Sequence, residues 1–93
     1  MALKHIDLTI GATTTQVIAT HTPCSWVSIL PTTNLAYVGE SSATSSTVFG
    51  TRLAANGTVP FTIGPFDRAG VNLDEIWISG TQSDVVHILY TTF

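Results

Sequence analysis

The stretch DVVHILYTTF, residues 84–93, decides the reading of this 93-residue chain. β-branched and aromatic side chains dominate it, and no glycine or proline interrupts it, so it reads as a strand. Successive strand side chains point to opposite faces. Val86, Ile88 and Tyr90 therefore share one face, and Val85, His87 and Leu89 the other. Both faces are largely apolar. One can line the core of a small domain, and the other needs a second cover. Alternation alone leaves open which face does which.

Two more segments share this property. In CSWVSIL (24–30), Cys24, Trp26, Ser28 and Leu30 alternate with Val27 and Ile29. In LDEIWIS (73–79), Trp77 opposes Ile76 and Ile78. An antiparallel sheet usually keeps one solvated, polar face. An apolar outer face carrying bulky aromatics marks an interaction surface. Loops can also close over strand ends, but three such strands favour a partner surface.

Working outward, further strands are expected at 3–10, 14–21, 35–39, 46–53 and 58–63, making about eight. LKHIDLTI places Ile6, Leu8 and Ile10 on one face and His5, Asp7 and Thr9 on the other. TVPFTI turns Val59, Phe61 and Ile63 inward. Its Pro60 lacks a ladder donor and predicts an edge position. Asn56-Gly57 suits a tight hairpin, and GTQSD (80–84) a short loop joining the last two strands. The expected fold is all-β: one antiparallel sandwich or barrel spanning 1–93, with 1–15 as a first strand or an arm.

Composition narrows the function classes. Charged residues make up 10% of the chain, against about 25% in ordinary soluble domains. The row holds 16 Thr and 8 Ser. A Thr-faced β protein can be soluble with so little charge, but the charge is too small for the mixed surface of a lone domain and favours cover by other copies or a partner. Lys4, Arg52 and Arg68 are the basic residues, and they lie far apart in the sequence. Phosphate binding needs clustered cations, so direct nucleic-acid binding is not expected. No apolar run approaches a bilayer-spanning length, and no basic amphipathic stretch suits a membrane surface. Lys4, His5 and Asp7 interrupt any signal-peptide core, so synthesis in a cytoplasm is expected. Cys24 is single, and its apolar neighbours suggest a small buried hydrophobe.

Candidate chemistry is sparse, and no enzyme activity, cofactor or metal is expected. Ser, His and Asp occur, but no G-x-S-x-G turn presents a nucleophile. Asp74 and Glu75 are adjacent, so on a strand they would point apart and could not flank one glycosidic bond. His5-x-Asp7 puts two potential ligands on one strand face, short of the three or four a zinc site needs. His87 stands out because Val85 and Leu89 flank it on its face. Trp26, Tyr37, Trp77 and Tyr90 could form a sugar-stacking platform, but few Asp, Asn or Gln lie near them.

From residue 16 to 92, the order of features resembles small accessory structural proteins of tailed bacteriophages, of the head decoration or cement type. WVSIL leads into AYVGESSAT, then GTRLAANGTVPFTIGPF, and finally the hairpin LDEIWISGTQSDVVHILYT. Tyr37-Val38-Gly39, then Gly50, Leu53 and Gly57, then Val86, Ile88, Leu89 and Tyr90 carry the resemblance. It implies a jelly-roll-like β-sandwich without enzymatic activity, located on the virion. Its partner would be the major capsid protein, bound by a homo-oligomer, a trimer foremost or else a dimer. Trp26, Trp77, Val85, His87, Leu89 and Phe93 are the expected contact residues. A carbohydrate-binding module for host attachment, associated with a tail or fibre, is the alternative.

Overall fold

Alternation along the last strand sets the core. In a computed structural model describing residues 2–54, 60–64 and 70–92, Val86, Ile88 and Tyr90 are buried, while His87 and Leu89 face outward. Nine strands are described: β1 Leu3–Thr9, β2 Thr15–Gln16, β3 Pro23–Pro31, β4 Ala36–Gly39, β5 Thr51–Leu53, β6 Phe61–Ile63, β7 Val71–Asn72, β8 Trp77–Ser79 and β9 Val85–Thr92. A 3₁₀ turn, Leu73–Glu75, separates β7 from β8.

The strands form two sheets. Sheet I has the order β1-β9-β3-β6, with β7 also on β3, and sheet II the order β2-β8-β4-β5. All pairings are antiparallel. Setting β7 aside, the pairs β4–β5, β3–β6, β2–β8 and β1–β9 nest inside one another, as in one long hairpin folded at β4–β5. Rolling that hairpin adds the contacts β3–β9 and β4–β8. This is the wrapping of a jelly roll. The expected sandwich is therefore present, with the jelly-roll strand order.

Between the sheets lie Val27, Ile29, Val86 and Ile88 from sheet I and Ala36, Val38, Leu53 and Ile78 from sheet II, with Leu73 and Ile76 from the connecting segment. Ile6 and Leu8 pack against them from β1 and Phe61 and Ile63 from β6. The Cα radius of gyration is 12.2 Å, close to the roughly 12 Å of a compact chain this long.

Several expectations need correction. Cys24 does not share the face of Trp26. The register shifts between Cys24 and Trp26, and this bulge turns Cys24 inward with Val27 and Ile29. An extra residue in one strand reverses the alternation on one side of it. The segment 73–79 is a strand only from Trp77, because Leu73–Glu75 winds into the 3₁₀ turn and buries Leu73. Asp74 and Glu75 thus lie on a turn, not on opposite faces of a strand. The segment 14–21 contributes only two paired residues, and the first half of 46–53 is loop. β7 was not anticipated, since two residues carry no periodicity. β6 does lie at a sheet edge, after Pro60. The Asn56-Gly57 turn and the inward placement of Val59 lie outside the described residues.

Side-chain ties fix the turns. Asn34 donates from its backbone (3.2 Å) and from Nδ2 (2.8 Å) to the Asp84 carboxylate, holding the β3–β4 turn against the start of β9. Ser83 has a φ of 74°, a left-handed conformation, and its amide donates to the Ile10 carbonyl at 2.8 Å.

Candidate interaction surface

Register determines what sheet I shows outward. Asp7 pairs with His87, and His87 with Leu30; His5 pairs with Leu89, and Leu89 with Ser28. A third row joins Leu3, Thr91 and Trp26. These side chains share the face opposite the core. Leu3 is 68% exposed and Leu89 38%. In the next row beyond Leu89, on the side away from Leu3, Asp7 Oδ1 meets His87 Nδ1 at 2.7 Å. The pair spans adjacent strands from residues eighty apart in sequence. Both partners are more than half exposed, so the contact orients the His87 ring more than it stabilises the fold. A shallow depression of about 360 Å³ lies over this face, lined by His5, Asp7, Ser28, Leu30, Pro60, His87 and Leu89. Among the described residues, no loop covers it.

Sheet II is different. The segment between β4 and β5 folds back over the outer face of β4. The Phe49 ring sits 4.8 Å from that of Tyr37, which points outward between buried Ala36 and Val38. Thr44 is 3% exposed and fills the space beside Gly39, where an added Cβ would fall 2.1 Å from Thr44 Oγ1. The Thr44 hydroxyl donates to the Ser41 carbonyl at 2.7 Å, and Thr14 Oγ1 donates to the Thr44 carbonyl. Loop closure therefore covers part of the outer face of β4, while the covering segment itself exposes Val48 and Phe49; on the outer face of sheet I no segment among the described residues lies over the strands.

The structure places the expected contact residues in two groups. Trp26, Val85, His87 and Leu89 lie together on the outer face of sheet I, His87 and Leu89 exposed and Trp26 and Val85 half-buried. Trp77 is half-buried on sheet II, between Gln16 of β2 and Gly39 of β4. Phe93 lies outside the described residues. Sequence reading did not assign Leu3, Leu30 or the Asp7 partner of His87 to this surface. Alternation along 3–10 put His5 and Asp7 on one face, but only the β1–β9 register brings His87 to them.

The four aromatics proposed as a sugar platform are dispersed. Tyr90 is in the core, Trp26 is outside sheet I, and Tyr37 and Trp77 are outside sheet II. His21 Nδ1 lies 3.6 Å from Asp74 Oδ1, beyond a hydrogen bond. Among the described residues, no serine or cysteine hydrogen-bonds a histidine, and no cluster of three His, Cys, Asp or Glu is placed to hold a metal. Cys24 is fully buried, and its Sγ lies 3.2 Å from the Val71 carbonyl oxygen. Burial pushes its thiol pKa up, partly offset by a backbone hydrogen bond from Trp26. A cleft of about 600 Å³ opens between the sheets beside Val38, Phe61, Ile63 and Ile76. No helix among the described residues is long and apolar enough to cross a membrane.

No family model, no curated protein and no solved structure matches this chain.

Proposed function

We propose that this chain is a non-enzymatic assembly protein: a decoration or cement protein of a tailed-bacteriophage head that binds the major capsid protein as an oligomer. One observation carries the assembly part. The outer face of sheet I carries three successive rows, exposed Leu3, then exposed Leu89, then the Asp7–His87 pair, with no cover among the described residues. A low charge fraction of 10% fits a surface that other chains cover. The capsid part is supported by the resemblance along 16–92. Jelly rolls occur among viral capsid proteins and also among lectins, so the fold alone does not choose between them. Many weak contacts repeated over a shell would add by avidity and brace it against internal pressure.

Mass-spectrometric copy counting on purified virions tests this reading. Hundreds of copies per particle support head decoration. A handful would move the protein to a tail or portal position, and none, with no binding to isolated capsids, overturns the proposal. Carbohydrate binding, the other reading, lost its shared aromatic platform. Glycan-array binding abolished by Trp26→Ala or Trp77→Ala would restore it.

A further inference from the structure

We propose that β1 pairs edge to edge with β1 of a second copy, antiparallel about a two-fold axis through Ile6, joining two copies of sheet I into one continuous sheet. The inference rests on the assembly half of the preceding reading and does not need the capsid half.

Among the described residues, β1 ends the order of sheet I and pairs on one side, with β9. The bonds beyond its ends show which residues use that side. The Ile10 amide donates to the Asp84 carbonyl, and the Thr92 amide to the Ala2 carbonyl, both at 2.9 Å. Hydrogen-bonded pairs alternate along an antiparallel ladder. Even-numbered β1 residues therefore bond to β9, and Leu3, His5, Asp7 and Thr9 aim their N–H and C=O groups at the open edge. A seven-residue strand with such an edge is a template for another strand.

The side chains favour one register. Residues that bond across the edge must both be odd-numbered, so the two-fold axis falls on Ile6 or shifts by whole residues. The axis at Ile6 overlaps all seven residues of β1. It also sets His5 of each copy opposite Asp7 of the other, Leu3 opposite Thr9 and Lys4 opposite Leu8. No like charges face each other. Moving the axis to Asp7 shortens the overlap and sets Asp7 against Asp7, which is destabilising. Moving it to His5 sets His5 against His5 and Asp7 against Leu3. The register of fullest overlap is thus also the one that sets an imidazole opposite a carboxylate and no like charges opposite each other. Lys4 is the usual kind of residue that discourages edge pairing, but here it meets Leu8, and its stem can lie along that side chain.

The axis stands perpendicular to the sheet, so both outer faces point the same way. One row then runs Leu30, His87, Asp7 and, across the edge, His5, Leu89 and Ser28 of the second copy. The dimer doubles the uncovered face into one surface. Edge pairing forms about eight hydrogen bonds but buries less than a standard interface, so a dimer of micromolar strength is expected.

Sedimentation equilibrium from 5 µM to 500 µM, on the full chain, is expected to show a monomer–dimer equilibrium. His5→Pro removes an N–H that the β9 ladder does not use. It should leave circular dichroism and the melting temperature near those of the parent and weaken dimerisation at least tenfold. Mixing His5→Cys with Asp7→Cys protein under mild oxidation should yield the mixed disulfide dimer in excess over either homodimer. A parent that stays monomeric throughout overturns the proposal. So does a folded His5→Pro protein that still dimerises, or a mixture with no excess of mixed disulfide. Capsid binding by a protein that never dimerises would sink this inference alone; dimers that ignore capsids would sink the capsid reading alone.

Discussion

Val86 and Leu89 stand three positions apart on β9 and on opposite faces. Val86 is 0% exposed and Leu89 38%. At Val86, an aspartate would bury an unpaired charge, a cost of several kcal/mol. That rivals the whole stability of about 5–10 kcal/mol expected of a small domain. Val86→Asp is therefore expected to yield unfolded or insoluble protein. Leu89→Asp should fold with a stability within about 0.5 kcal/mol of the parent, because its side chain lies on the outer face, but should lose partner binding there. Circular dichroism with urea titration separates the two, and an unfolded Leu89→Asp protein would contradict the facing.

Cys24 makes a second prediction at this scale. Being fully buried, it should resist alkylation in the folded protein and react only on unfolding. Its raised pKa also has a sign. The unfolded thiol ionises first, at about pH 8.5, so the unfolded state gains as pH climbs beyond that value. The stability contribution is whole below that pH and is lost above it. Urea midpoints between pH 7 and 10 should fall, and Cys24→Ala should flatten this part of the slope.

Among the elements, β4 and the segment after it depend on one glycine. Gly39 has Thr44 in the place of its missing side chain, and buried Thr44 is held by its own hydrogen bond. Gly39→Ala forces the loop outward and should cost about 1–3 kcal/mol. Thr44→Ala removes the atom it strikes, so the double variant should be more stable than the two losses summed. Urea denaturation of all four proteins forms the cycle, and simple additivity would refute the contact.

The legibility of the elements has a physical pattern. Long alternating segments such as 3–10 and 84–92 declared themselves, because each buries one face and the period shows. Short elements did not. β2 and β7 hold two paired residues each, and the turn at Leu73–Glu75 buries Leu73 without any strand period. The inverted facing of Cys24 follows from a bulge that leaves no mark in residue type. The site was half visible for the same reason. His87 and Leu89 were found from their own strand, but their partners Asp7 and Leu30 come from register, a property of pairs of strands. Trp26 and Trp77 looked alike in the sequence and lie on different sheets.

For the whole molecule, the nested pairing means that few contacts are local. The outermost ladder joins Leu3 to Thr91, so it closes only after nearly the whole chain is enclosed. Such topologies fold slowly, in milliseconds to seconds, because loop closure must precede the contacts that reward it. It also places residues 2 and 92 side by side, with Thr92 donating to Ala2 at 2.9 Å. The chain is nearly a ring, and where it is cut is a free choice. Bridging these ends with a short Gly-rich linker and opening the chain between Thr81 and Gln82 turns β9–β1 into a local hairpin. Such a circular permutant should keep the sandwich and refold faster than the parent in stopped-flow fluorescence, since its longest-range ladder has become its shortest.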